Sequence, residues 1–174
     1  MCKKLITVIL GAVFVCSCSW KPAINKSLHT TSLAKKIPQE VLLYSQLCEA
    51  CGKGQKPLVN SLLTKGIDLD GGKHDEWMMA DYLPYGSLKP INSAAHAGEL
   101  EIVKTLVEKG AKVDNIDGQG ATALIFALQA GHLETAEYLI ESGASKTQQC
   151  DFGTPLEIAK QQNASVLVRM LESE

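Results

Sequence analysis

Hydrophobic and small residues recur along the second half of the chain with one fixed spacing. The segment INSAAHAGELEIVKTLVEKGAKVD, residues 91–114, superposes on LIFALQAGHLETAEYLIESGASK, residues 124–146. The matched positions share a constant offset of 33, namely Ile91 and Leu124, Ala94 and Ala127, Gly98 and Gly131, Glu101 and Glu134, and Gly110 and Gly143. This recurrence predicts a stack of helix pairs, because one pair alone cannot bury its apolar face.

Two further copies flank this central pair. TPLEIAKQQNASVLVRMLESE, residues 154–174, follows at an offset of 32. LCEACGKGQKPLVNSLLTKGIDLD, residues 47–70, precedes residues 91–114 at an offset of 44, which exceeds the period by 11. The extra residues must fall between Gly66 and Pro90, so the sequence predicts one enlarged loop within 67–89.

Residues that begin helices, end helices or allow close helix contact recur at matching positions of the copies. Thr122 and Thr154 are predicted helix N-caps, since a threonine hydroxyl can accept a first-turn amide. Gly110 and Gly143 follow the second helix of their copies, where a left-handed residue commonly ends a helix. Small residues stand where two helices must approach closely, at Ala94, Ala95 and Ala127.

These motifs resemble ankyrin repeats. Thr154-Pro155-Leu156 matches the T-P-L start of that family, and AGELE and AGHLE match its turn between paired helices. The resemblance implies an all-α solenoid of about four stacked helix-turn-helix repeats with one enlarged inter-repeat loop. The predicted domain is 38–174, with repeats at about 38–70, 88–120, 121–153 and 154–174.

The N-terminus has the pattern of an export signal. Two lysines within residues 1–4 precede an uninterrupted apolar run at 5–15, which is too short for a membrane span. The sequence VCSC at 15–18 resembles the bacterial lipobox, with Cys18 as the residue that receives lipid, palmitate among its acyl chains. Residues 1–17 are then a signal peptide and 18–37 a flexible tether. Ser19, by resemblance to lipoprotein sorting, indicates the outer membrane, and secretion without a lipid is the alternative.

Charge and motif content argue against several classes of function. The chain has 17 basic and 19 acidic residues, a net charge of −2, without the basic excess that nucleic-acid binding requires. Neither a nucleophile elbow, nor a phosphate-binding glycine loop, nor a zinc-protease motif occurs. His74 beside Asp75 and Glu76 is a weak metal candidate, because three adjacent residues converge poorly on one ion. The sequence predicts no enzyme, no metal and no cofactor.

The cysteines of the domain leave several interpretations open. Cys48 and Cys51 form a C-x-x-C motif, which in an exported protein raises a redox hypothesis. Cys51 aligns with Ala95, a small core position, so apolar packing is the favoured interpretation and a local disulfide the second. Cys150 lies too far along the stack to pair with either and is expected to carry a free thiol.

Aspartates and aromatic residues are the candidate contacts with a partner. The resemblance implies that the inter-repeat turn tips and the first helices hold another protein, so the predicted binding residues include Asp68, Asp70, Asp114, Asp117 and Asp151. Aspartate also forms good turns, which is the alternative. In the enlarged loop, Trp77, Tyr82 and Tyr85 are either binding anchors or part of a short capping helix with Met78 and Leu83.

These observations favour a protein-binding lipoprotein on the periplasmic face of the outer membrane. The sharpest hypothesis is an immunity or inhibitor protein that neutralises a toxin acting in the envelope, such as a phospholipase. It rests mainly on analogy with small ankyrin-like lipoproteins. An envelope scaffold and a redox or stress factor using Cys48 and Cys51 are the alternatives.

Overall fold

The computed structural model describes residues 38–71 and 89–173. The signal peptide, the tether and the lipid-attachment residue Cys18 lie outside the described residues. So do most of the enlarged loop and its predicted contacts Trp77, Tyr82 and Tyr85, together with His74.

Four helix pairs make up the described part of the chain, which contains no β-strand. The helices are α1 (Gln39–Gly52), α2 (Lys56–Leu63), α3 (Pro90–His96), α4 (Leu100–Glu108), α5 (Ala123–Ala130), α6 (Leu133–Glu141), α7 (Pro155–Gln161) and α8 (Ser165–Glu172). This all-α arrangement confirms the fold predicted from the period. In the two described ranges, every helix falls short of the length and apolar character that a bilayer crossing demands.

The helices stack in two rows. The first helices of the pairs, α1, α3, α5 and α7, contact one another in that order, and α4, α6 and α8 form the second row. One continuous apolar core joins the pairs and includes Leu47, Ile91, Leu124 and Leu139. The alanines predicted at close helix approaches, Ala94, Ala95 and Ala127, are all fully buried.

A left-handed residue marks the same place in the turn of successive pairs. Gly98 and Gly131 have φ values of 74° and 77°, and Asn163 has φ 55°. Asparagine tolerates this conformation better than most residues with a side chain. The sequence offsets of 33 and 32 therefore coincide with the structural register of the repeats.

One of the two predicted threonine caps forms. The Thr154 hydroxyl accepts the backbone N–H of Glu157, whose carboxylate accepts the Thr154 N–H in return. The backbone N–H that Thr154 donates to the Glu157 carboxylate, together with the nearby Thr154 hydroxyl, lowers the pKa of the Glu157 carboxyl. The prediction for Thr122 is wrong, because its buried hydroxyl makes no cap bond. Ile125 stands where Glu157 stands and offers no carboxylate to close the box.

The last described pair has a polar outer face. Leu128 and Ile140 of the third pair are buried, whereas the residues 32 positions later are Lys160 and Glu172, which are exposed and form an ion pair at 3.0 Å. The fourth pair thus covers the third with apolar residues and turns charged ones to water. Terminal repeats of solenoids need such a face for solubility.

Candidate protein-binding surface

Loops that connect successive helix pairs form one edge of the stack, and we call them fingers. The first finger is described over residues 64–71. The second finger (109–122) folds back on itself, with Asp117 N–H donating to Ala121 O at 3.0 Å and Gly120 N–H to Asp117 O at 3.1 Å. The third finger (142–154) closes through a reciprocal pair of hydrogen bonds between Cys150 and Gly153. Both tips are therefore tight, backbone-bonded turns.

Two of the predicted aspartates tie each finger to the next. Asp70 Oδ1 accepts the backbone N–H of Lys112 at 3.0 Å and the side-chain amide of Asn115 at 3.2 Å. Lys112 Nζ also lies 3.3 Å from Asp70 Oδ2. Asp114, one repeat later, accepts the backbone N–H of Ser145 at 2.7 Å. These aspartates fix the spacing of the fingers.

Two other aspartates close turns within the first and second fingers. Asp117 is only 9% exposed, and its Oδ1 accepts the backbone N–H groups of Gln119 and Ala121 at 2.9 and 2.8 Å. Asp68 is half-buried and accepts the backbone N–H of Asp70 at 3.1 Å. The turn-forming alternative describes the geometry of both residues, and the burial of Asp117 removes it from the contact surface.

The tip of the third finger points to solvent. Asp151 is exposed, and Phe152 beside it is 45% exposed. Cys150 occupies the register of Asp117, and its sulfur accepts the Phe152 N–H at 3.4 Å, the same contact that Asp117 makes with Gln119. Phe152 thus takes the tip position that Gln119 holds one repeat earlier.

Sequence reasoning missed two exposed apolar residues on the finger edge. Phe152 was not among the predicted contacts, nor was Ile116 on the second finger, which is 49% exposed. An aromatic residue replacing glutamine at an equivalent turn position was the signal that could have revealed Phe152.

Histidines link the turns at the opposite edge from the fingers. His132 donates through Nε2 to the carbonyl oxygen of His96 at 3.1 Å, across to the preceding pair. His96 is exposed at the end of α3, and its ring meets Phe126 edge-on with centroids 5.9 Å apart.

The cysteines of the C-x-x-C motif lie in the protein interior. Both are buried, and neither forms a disulfide within the described ranges. Burial raises the pKa of the Cys51 thiol to about 12 and also raises the pKa of Cys48. Because the thiolate is the reactive form, this environment favours the apolar-packing interpretation. Cys150 is half-buried and also forms no disulfide within the described ranges.

No metal site is evident among residues 38–71 and 89–173. In these ranges no group of three or more histidine, cysteine, aspartate or glutamate residues could hold a metal ion.

Comparison with known proteins gives matches along most of the described domain. Residues 47–150 and 91–172 match the family model for ankyrin repeats in three copies. The chain is 28% identical over 141 residues to the ankyrin repeat and KH domain-containing protein mask-1 of Caenorhabditis elegans, covering 79% of this chain and 5% of that protein. It is 41% identical over 63 residues to the probable E3 ubiquitin-protein ligase XBOS33 of Oryza sativa subsp. japonica, covering 36% and 12% respectively.

A third similar protein is alpha-latrotoxin-Lh1a of Latrodectus hasselti, 38% identical over 65 residues, or 37% of this chain and 5% of the toxin. The chain thus spans 12% or less of the length of each of these three relatives. The similarity is confined to a small part of each.

Proposed function

Because the chain belongs to the ankyrin-repeat family, a family of protein–protein interaction modules, we propose that it is a non-catalytic lipoprotein of the bacterial envelope that acts by binding another protein. The observation that carries this proposal is the finger edge. It presents Asp151, Phe152 and Ile116 to solvent on turns that internal hydrogen bonds hold in place. A preorganised surface loses little conformational entropy when it binds.

The same edge suggests the chemistry of the partner. An exposed aromatic ring beside a carboxylate suits a surface that offers an apolar pocket next to a basic group. Lys112 is paired with Asp70, and Lys146 donates to the carbonyl oxygen of Ser173 at 2.6 Å. Both nearby lysines are therefore engaged within the chain, while Asp151 remains exposed at the tip.

The lipobox motif supports a location for this binding. Lipid on Cys18 would hold the domain at the periplasmic face of the outer membrane, with residues 18–37 as the tether. The acyl chains bury many methylene groups, each contributing about 0.8 kcal/mol, so such an anchor is stable.

Within this class of function, we favour an immunity or inhibitor protein that neutralises an envelope-acting toxin such as a phospholipase. Blocking a toxin requires a rigid surface at the site of attack and no catalytic group. An envelope scaffold would use the same surface for resident proteins. The redox alternative is less favoured, since it would have to expose two buried thiols.

The binding proposal is tested with finger-tip variants in a toxin challenge. Cells that lack the gene should lyse when challenged by sister cells carrying the toxin, and the wild-type gene should restore survival. A Phe152→Ser, Asp151→Lys double variant should fail to protect, with toxin affinity reduced about 30-fold or more for the loss of one aromatic hot spot.

The matched control changes two exposed residues far from the fingers, Leu58→Ser and Glu137→Gln, and should protect like the wild type. Thermal unfolding should be nearly unchanged in both variants, because exposed substitutions usually alter stability by about 0.5 kcal/mol or less. Survival of the deletion strain would count against the immunity role. Recovery of resident envelope proteins alone in a pull-down would favour the scaffold.

Lipidation is tested by replacing one cysteine at a time. Cys18→Ser should abolish incorporation of labelled palmitate and move the protein from the membrane fraction to the periplasmic fraction. Cys16→Ser is the matched control, two residues earlier in the same motif, and should label normally. Equal labelling of the two variants would rule out Cys18 as the attachment site.

A further inference from the structure

Two cavities open on the edge of the stack where the turns within the helix pairs lie, at the other end of the helices from the fingers. The first has a volume of about 310 Å³ and lies between the second and third pairs, bounded by Gly98 and Gly131. The second, of about 260 Å³, lies between the third and fourth pairs, bounded by Leu133 and Val166. Leu133 lines both cavities, and we call the two together the turn groove.

The turn groove is open because the last described pair lacks a side chain that the equivalent position has in the two preceding pairs. Glu99 lies over Gly54 and His132 over Gly98, so that each covers the turn of the preceding pair. The next position in the series is Ala164, which is too small to do the same. A Cβ atom placed on Gly131 would consequently meet nothing within 4 Å.

The rim of the turn groove is apolar and partly acidic. Leu133 is 47% exposed and Val166 is 52% exposed, two of the largest apolar exposures in the described part of the chain. Glu134 lines the first cavity, and no lysine or arginine is among the described residues that line either one. Aliphatic side chains next to an uncompensated carboxylate are complementary to apolar and basic groups.

The spacing of the cavities identifies the form of the occupant. Adjacent helix layers lie about 8–10 Å apart, so the two cavities repeat at about that distance. Three residues of a polyproline II chain span about 9 Å and complete one turn, so side chains i and i+3 lie on the same face. In a β-strand these two side chains would face opposite sides. Small-molecule sites have volumes of about 300–1,000 Å³. The two cavities, of about 310 and 260 Å³, lie at the lower end of that range, so they suit side chains of a partner better than a whole ligand.

We propose that the turn groove binds a polyproline II segment of a partner polypeptide, which places apolar side chains at positions i and i+3 in the two cavities and basic residues opposite Glu134. This surface is separate from the finger edge and does not depend on the function proposed for it. A partner could therefore occupy the turn groove while another occupies the fingers.

The test measures binding of a defined probe to the purified full chain by fluorescence anisotropy. The probe is a labelled peptide Gly-Lys-Leu-Pro-Lys-Leu-Pro-Lys-Leu-Gly, with leucine at every third position, and matched probes carry serine for leucine or glutamate for lysine. The wild type should bind the first probe at least about tenfold more tightly than either matched probe. This ratio corresponds to about 1.4 kcal/mol of contacts that each matched probe lacks.

Two variants locate the site. Leu133→Ser, Val166→Ser should weaken binding of the leucine probe about tenfold, whereas Phe152→Ser on the opposite edge should leave it unchanged. Both positions are about half exposed, so the double variant should remain folded at the assay temperature, which circular dichroism checks.

Equal affinity of the wild type and the double variant would overturn the proposal, as would equal affinity for the three probes. The proposal would also be overturned if the wild type did not bind the leucine probe at about 1 mM, a concentration that corresponds to about 4 kcal/mol of binding free energy. A synthetic peptide of residues 19–37, which carries four lysines and no acidic residue, serves as competitor. If it displaced the probe at much lower concentration, the groove would belong to this chain's own tether and not to a partner.

Discussion

Replacing Leu124 with alanine is expected to destabilise the domain by about 2–5 kcal/mol, the usual range for truncating a buried leucine. Leu124 is fully buried in α5, which contacts α3 on one side and α7 on the other. The space left by the Leu124→Ala substitution therefore lies where three helix pairs meet. Small domains have a total unfolding free energy of about 5–15 kcal/mol, so this variant should lose a large part of its stability. The measurement is the urea midpoint followed by circular dichroism.

Leu133→Ala is the matched control for this experiment, since it removes the same atoms from the next helix. Leu133 is about half exposed, so its truncation should cost about 1 kcal/mol or less. Equal midpoint shifts for the two variants would show that α5 does not occupy the centre of the stack.

The repeat register was predictable because it depends on short-range constraints that leave a mark at each copy. A turn that needs a left-handed residue selects glycine at 98 and 131 and asparagine at 163, and close helix contact selects alanine at 94 and 127. Each requirement acts within one repeat and recurs in the next. The repeats of one chain can therefore be aligned with one another, and this alignment predicts the register.

The role of each finger aspartate was harder to predict, because it depends on residues far along the chain. Asp70 accepts hydrogen bonds from Lys112 and Asn115, more than 40 positions away. An aspartate that binds the next finger and an aspartate that faces solvent, such as Asp151, have the same local turn composition. Composition alone therefore left binding and turn formation as alternatives.

The two threonines show a local difference that the sequence did contain. Thr154 and Thr122 begin equivalent helices, yet only Thr154 has a glutamate three residues later. A capping box needs both side chains. Because Ile125 follows Thr122 where Glu157 follows Thr154, the sequence itself predicts a capping box at Thr154 and none at Thr122.

The second large effect is expected for Gly98→Ala, at about 2–3 kcal/mol, the sum of a backbone cost and a steric one. Gly98 has φ 74°, a conformation that costs a residue with a side chain about 1–2 kcal/mol. The new methyl group would also lie 2.5 Å from Nδ1 of His132. The imidazole must then move and release the carbonyl oxygen of His96, which adds the roughly 1 kcal/mol of a typical hydrogen bond.

Gly131→Ala measures the backbone cost alone, because Gly131 has nearly the same φ, 77°, but nothing within 4 Å of a Cβ atom. It should cost only the backbone strain of about 1–2 kcal/mol. In a His132→Ala background the steric conflict at Gly98 is gone, so Gly98→Ala should then cost no more than Gly131→Ala. The cycle should give a coupling energy of about 1 kcal/mol between positions 98 and 132, measured from urea midpoints at constant m-value. Additive costs would mean that His132 does not hold the second pair to the third, and that the two turns are joined through backbone packing alone.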